Sequence, residues 1–256
     1  MREDLGSRRR ALVTGGGRGI GAAIVRALIA SGHEVTFTYR SASAQAGALI
    51  EELKEKFPDR PIAGLQIDLG DESAIETFLA ELEADGPFSA LVHNAGQPYD
   101  SLAAVMDQTK ARAIMQVNFW SLTKLVGALV RPMTRARDGR IVVIGSIAAL
   151  RANQGNAAYA ASKAALLGYV RTLAIETARK GVTVNYVAPG FVDTEMMERY
   201  AAQRDKMSDQ IPAGRFATPD EIAAVVTFLL SPLAGYITGA MLPVDGGLSA
   251  ALGVHR

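Results

Sequence analysis

Short β-branched or apolar runs alternate with longer helical patterns along nearly the whole chain, and few folds accommodate that rhythm. The runs "ALVTG", "EVTFTY", "PIAGLQID", "SALVHNAG", "GRIVVIGS", "VTVNYVAP" and "AMLPVDGG" read as about seven strands. Between them, helical periodicity predicts helices over 20–31, 44–56, 72–84, 102–133 and 157–179, with another beginning near Pro219. Strand and helix in strict alternation predict an α/β fold, a doubly wound parallel sheet with helices on both faces. With 256 residues, 49% of them apolar, the chain can fill one sizeable core, and neither a repeat nor a linker divides it. A single domain over 1–256 is expected.

The first strand runs into "TGGGRGIG", which opens a helix, with Gly15, Gly19 and Gly21 spaced G-x-x-x-G-x-G. Glycines there let the backbone turn sharply and approach a pyrophosphate, while the helix N-terminus offers N–H groups and partial positive charge. In this strand–turn–helix setting the motif predicts a Rossmann-type dinucleotide site. The second strand ends in "FTYRSAS" without the acid that would bind a ribose 2′-hydroxyl; Arg40 stands in that region and Arg18 lies inside the turn. Each arginine–phosphate hydrogen bond is worth roughly 1.5–3 kcal/mol, so the pair predicts NADP(H) over NAD(H). The plainer alternative is two solvent-facing arginines. Asp68, in "LQIDLGD", either hydrogen-bonds the adenine or caps the following helix.

The segment "GSIAALRANQGNAAYAASKAA" holds Ser146 at the end of a strand, then Tyr159 and Lys163 four residues apart on a helix. Four-residue spacing puts tyrosine and lysine on one face, at the sheet edge where Ser146 sits. A phenol titrates near pH ~10; an ammonium at about 4 Å and an effective dielectric of ~20 contributes about 4 kcal/mol, roughly three powers of ten in acidity. The expectation is therefore that Lys163 lowers the Tyr159 pKa and makes it an acid or base near neutrality. Ser146 has no histidine near it in sequence, which favours hydrogen bonding to a substrate oxygen over nucleophilic attack.

Composition narrows the alternatives. Twenty-seven basic against 26 acidic side chains give no global field for nucleic acid or an anionic membrane. Cysteine is absent and the three histidines, His33, His93 and His255, are scattered, so no metal site is expected and the cytoplasm is the default location. The start, "MREDLGSRRR", has too short an apolar sequel for a signal peptide, and the window "IAAVVTFLLSPLAGYITGAML" is cut by Ser231, Pro232, Gly235 and Gly239 before it reaches spanning length. Arg8 to Arg10 read as a solvated N-terminal arm.

Together "TGGGRGIG", "HNAG", "VNF", "GSIA", "YAASK" and "PG" resemble the short-chain dehydrogenases/reductases over essentially the whole chain. The resemblance implies that Tyr159 is the proton donor or acceptor and that Lys163 depresses its pKa and holds the nicotinamide ribose. It implies that Ser146 orients the carbonyl and that Asn118 anchors a water relay to the lysine. Cofactor contacts implied in the same way are Gly15, Gly17, Arg18, Gly19, Ile20, Gly21, Arg40, Asp68, Leu69, Asn94, Ala95, Gly96, Pro189, Gly190, Val192 and Thr194, together with Tyr159 and Lys163. Within the family, "IPAGRFATPDEIAAVVTFLLS" and "YITGAMLPVDGG" look like β-ketoacyl-[acyl-carrier-protein] reductases, with His93 where an Asn is usual and Ala217 where a Gly is usual. His93 reads most simply as a packing or turn residue. Arg137 and Lys180 match two bases that dock the acyl carrier protein near the site mouth in that subfamily, although the helix macrodipole, which favours Lys or Arg near a helix C-terminus, is the stronger account of both. A homotetramer is implied, and "FWSLTKLVGALV" supports it with more apolar residues than one sheet face requires, full burial in the monomer being the alternative. The polar stretch 191–218 is expected to overhang the site as a substrate lid, the alternative being a packed surface excursion.

These readings leave three functions: reduction of a 3-oxoacyl group on its carrier protein, a reductase or alcohol dehydrogenase for a free ketone, sugar or steroid, and a nucleotide-binding regulator. The full set Ser146, Tyr159, Lys163 and Asn118 argues against the regulator, which needs only the cofactor half.

Overall fold

The computed structural model describes residues 9–251, so Arg8 and His255 lie outside the described residues. Seven strands, β1 (Arg10–Thr14), β2 (Glu34–Tyr39), β3 (Ile62–Gln66), β4 (Ala90–His93), β5 (Gly139–Ile144), β6 (Val182–Pro189) and β7 (Met241–Val244), form one sheet. The order is β3-β2-β1-β4-β5-β6-β7 and every pairing is parallel. Helices α1 (Gly19–Ala30), α2 (Ser43–Lys56), α3 (Glu72–Asp85), α4 (Gln108–Met115), α5 (Ser121–Ala136), α6 (Ala157–Thr177), α7 (Arg204–Ser208) and α8 (Pro219–Leu230) connect them.

Strands β5 and β6 are buried along their whole length, as expected where helices cover both faces. Alternate residues feed two cores. Ala11, Val13, Val92 and Val142 pack with α1, α2 and α8, whereas Leu12, Leu91, Ile141 and Val143 pack with α3, α5 and α6. The period of two along each strand thus places three helices on each side.

The predicted helix over 102–133 is not one regular helix. A short 3-10 turn (Ala103–Val105) precedes it, and Asp107 caps α4 by accepting from the N–H groups of Thr109 and Lys110. Between α4 and α5 lies a π-helical turn (Gln116–Trp120), closed by the Ser121 N–H on the Gln116 carbonyl. The helical run 108–136 is long and apolar enough to cross a membrane. Its buried face, Ile114, Val117, Leu122, Leu125, Val126, Leu129 and Met133, is packed inside the protein, and Lys124, Arg131 and Arg135 lie on other faces.

The expected solvated arm is corrected at two positions. Arg10 begins β1 and its guanidinium pairs with Asp85 and Glu34, while Arg9 pairs with Asp138 and donates to the Leu230 carbonyl. These acids lie far along the chain, beyond the reach of a local charge pattern.

Candidate active site

Strand order reverses between β1 and β4, where a crevice opens at the carboxyl edge, the usual ligand position in such sheets. The crevice belongs to a cleft of about 1660 Å³ that continues past Ser146 and Tyr159 to the segment 189–212. Its floor is the glycine turn. Gly15 has φ +66° and a Cβ there would meet Ala95 at 3.0 Å, so only glycine lets the turn lie against β4. The Asn94 side-chain amide donates to the Gly15 carbonyl at 2.9 Å, closing the turn from the other side.

Of the expected cofactor contacts, Gly15, Gly17, Arg18, Gly19, Ile20, Arg40, Asp68, Leu69, Asn94, Ala95, Gly96, Pro189, Gly190, Val192 and Thr194 all line the cleft. Gly21 does not. A Cβ on it would stand 2.0 Å from the Gly15 carbonyl oxygen, so its role is to let α1 close against the turn. Arg18 lines the cleft but is paired with Glu195 at 2.9 Å, whereas the Arg40 guanidinium has no ionic partner among the described residues. Asp68 accepts from the Gly70 N–H at 2.8 Å and does not cap α3; that cap is Asp71, which accepts from Ser73 and Ala74. A cleft floored by backbone that tolerates no Cβ at Gly15, with two arginines on its rim, fits a phosphorylated dinucleotide.

Ser146, Tyr159 and Lys163 converge on the same cleft. The Lys163 ammonium is buried and donates to the Ile144 carbonyl at 2.9 Å, and its Nζ lies 5.8 Å from the centre of the Tyr159 ring. Burial pushes the Lys163 pKa down to about 8. The expected lowering of Tyr159 is not what the structure gives: burial holds the phenol above its ordinary value, with the Ser146 hydroxyl pulling the other way. Four-residue spacing sets the two groups on one face but carries no information on burial, and desolvation acts on both of them here.

Asn118 is fully buried and does not line the cleft. Its side chain accepts from the Gln97 N–H at 2.7 Å and donates to the Gln97 carbonyl at 3.1 Å and to Ser162 at 2.9 Å. It therefore braces the loop after β4 against α6. Arg137 and Lys180 also stand apart from the cleft, in the turns that lead into β5 and β6 at the opposite edge of the sheet. Within one chain they do not line the site mouth, because both precede strands whose carboxyl ends form the site.

Sequence reading missed Tyr186, which is fully buried in β6. Its hydroxyl accepts from the Ser146 N–H at 3.0 Å and lies 3.3 Å from the Ser146 carbonyl and 3.2 Å from that of Lys163. Gly145 makes the contact possible, since a Cβ there would stand 1.7 Å from the Tyr186 ring. Also unforeseen is a cluster beside the site in which Asp100 accepts from Tyr200 at 2.8 Å and pairs with Arg199 at 3.3 Å, joining the 195–203 turn to the loop after β4.

This fold and site define a class. The sequence model of the family described as "Enoyl-(Acyl carrier protein) reductase" matches residues 15–249, and the chain belongs to the short-chain dehydrogenase/reductase family. Among its relatives, the chain is 40% identical over 240 residues to "3-oxoacyl-[acyl-carrier-protein] reductase FabG" of Salmonella typhimurium, covering 93% of this chain and 96% of that protein. It is 38% identical over 242 residues to "3-oxoacyl-[acyl-carrier-protein] reductase MabA" of Mycobacterium tuberculosis, covering 94% and 92%. Among solved structures it is similar to a blue fluorescent protein from a metagenomic library in complex with NADPH, with a TM-score of 0.88, 36% identity and coverage of 94% and 97%.

Proposed function

We propose that this chain is an NADPH-dependent reductase that converts a 3-oxoacyl group carried on acyl carrier protein into the 3-hydroxyacyl group. The observation that carries the reading is the convergence of Ser146, Tyr159 and Lys163 on a cleft continuous with the glycine turn. The relatives named as 3-oxoacyl-[acyl-carrier-protein] reductases support the substrate class.

NADPH supplies the hydride when bound. Arg18 and Arg40 would hold its 2′-phosphate, and Gly15, Gly17, Gly19, Ile20 and the 94–96 loop would form its bed. Ser146 and Tyr159 hydrogen-bond the substrate oxygen, and Tyr159 gives that oxygen its proton. A phenol held above its ordinary pKa is protonated at neutral pH, the form a donor requires. Lys163 lies behind the phenol and Asn118 braces the turn of α6 that carries both. Segment 191–218 serves as the lid, tied down by Arg18–Glu195 on one side and by the Asp100 cluster on the other.

The working assembly is a homotetramer in the cytoplasm. Exposed Trp120 and Ile175 on the α5–α6 side, with Leu233 and Tyr236 near β7, support two apolar contacts between copies. Arg137 and Lys180 then dock the carrier protein from the sheet edge opposite the cleft of their own chain. The test is oxidation of NADPH with acetoacetyl and crotonoyl thioesters, carrier-linked and free, and with a panel of ketones. Preference for the carrier-linked acetoacetyl group is expected. Turnover confined to free ketones would replace this reading with a carbonyl reductase, and NADPH binding without turnover would leave the regulator.

A further inference from the structure

His93 ends β4 and is fully buried, with both ring nitrogens engaged. Nε2 lies 3.2 Å from the Asn118 main-chain oxygen, an atom that can only accept, so Nε2 carries the hydrogen. Burial and the Lys163 charge lower the His93 pKa to about 3, which leaves the ring neutral and Nδ1 bare. The Thr14 hydroxyl, 3.1 Å from Nδ1, is therefore the donor there. The Thr14 oxygen in turn accepts from the N–H groups of Asn94 and Ala95, each at 3.1 Å. One arrangement of hydrogens satisfies every group in this chain.

We propose that His93 is a positioning residue with two separable tasks: through Thr14 it sets the loop 94–96 that beds the cofactor, and through the Asn118 carbonyl it sets the π-helical turn that braces the catalytic helix. The second link continues outward. Asn118 donates to Ser162, and Ser162 donates to the Tyr159 carbonyl at 2.7 Å. The ring thus joins the two halves of the site at one buried point. The proposal rests on the reductase reading of that site.

The two tasks separate by shape. An asparagine amide reaches the place of Nδ1 but falls short of Nε2, whereas a glutamine amide reaches the place of Nε2 and leaves Nδ1 unreplaced. His93→Asn should keep the Thr14 partner and lose the Asn118 carbonyl. Its kcat is expected to fall about tenfold, the size of one buried hydrogen bond, with the NADPH dissociation constant rising by no more than about threefold. His93→Gln should do the reverse, weakening NADPH about tenfold in a fluorescence titration while kcat at saturating cofactor falls by no more than about threefold. Thr14→Val, which keeps the shape of the side chain, should behave like His93→Gln.

Melting temperatures of all three variants accompany the titrations. Losses of binding and turnover in equal ratio that track the melting temperature would overturn the proposal and leave His93 as packing, and so would unchanged constants. If either histidine variant does not fold, Thr14→Val decides by whether it weakens NADPH more than it lowers kcat. A wild type that binds no NADPH would overturn the reading of the site itself, whereas a wild type that binds and turns over, with variants that show no split, would overturn only the role of His93.

Discussion

Replacing Tyr186 by phenylalanine removes one oxygen atom and keeps the ring that Gly145 makes room for. That oxygen accepts from the Ser146 N–H at 3.0 Å and gives its hydrogen to a carbonyl, that of Lys163 at 3.2 Å or of Ser146 at 3.3 Å. A buried donor left without an acceptor costs about 1–3 kcal/mol. In a domain of this size each kcal/mol moves Tm by roughly 2–4 °C, so a drop of about 2–12 °C is expected by calorimetry. The same atom fixes the main chain on which the Ser146 hydroxyl is mounted, and kcat should fall about three- to tenfold through misorientation alone. Burial raises the Tyr186 pKa above its ordinary value, so the phenol stays protonated and the ratio of mutant to wild-type rate should be flat from about pH 6 to 9. A variant with unchanged Tm and unchanged kcat would refute the reasoning, because the Ser146 N–H would then have another partner.

Tyr159→Phe should nearly abolish turnover while leaving NADPH affinity within about threefold, since it removes the proposed proton donor and not the bed of the cofactor; loss of both together would make the residue structural. Lys163 titrates at about 8 in the fold, below the ~10.4 of an unfolded chain, so the unfolded state binds the extra proton between those values and stability from this group rises with pH there. Reduction should accordingly slow as pH climbs through about 8. The Tm of Lys163→Met relative to wild type should be more favourable at pH 7 than at pH 10, and a gap independent of pH would count against the buried ammonium. NADPH should exceed NADH at least about tenfold in kcat/KM, and Arg40→Asp should shrink or reverse that preference. Glu195→Gln frees Arg18 from an exposed ion pair worth at most about 1 kcal/mol, and should tighten NADPH by up to about fivefold with little effect on NADH. Equal tightening of both cofactors would show that Arg18 does not meet the 2′-phosphate.

The sheet was readable because its strands are buried on both faces: "RIVVI" and "VTVNYVAP" have no solvent side to break the apolar run. The glycine turn was readable because its backbone demands are local. What escaped depends on partners far away in sequence. Tyr186 looks like one more strand residue until Gly145, 41 positions earlier by the numbering, is seen to leave space for its ring. Arg9 and Arg10 look solvated until Asp138 and Asp85 arrive beside them. The acidity of Tyr159 was misjudged for the same reason, since spacing locates the lysine but says nothing of the burial that both groups share. The surplus of apolar residues in "FWSLTKLVGALV" has a mixed explanation. Leu122, Leu125, Val126 and Leu129 are buried in the monomer, Phe119 meets Tyr169 edge-on at 5.9 Å, and Trp120 is half exposed.

The π-helical turn at Gln116–Trp120 acts as a phase shifter within the helical run 108–136. It accommodates one residue more than a regular helix has room for, so residues before and after it follow two offset helical wheels. Deleting a single residue there would let the turn close to regular helical geometry and merge the wheels, keeping Ile114 and Leu122 on the buried side, whereas a deletion within α5 itself would turn the rest of that helix by about 100° and carry Leu125 or Leu129 out of the core. Length is therefore tolerated unevenly along this chain, and a scan of single-residue deletions should find sharp loss of folded, cofactor-binding protein within α5 and little loss at the π-helical turn beside it.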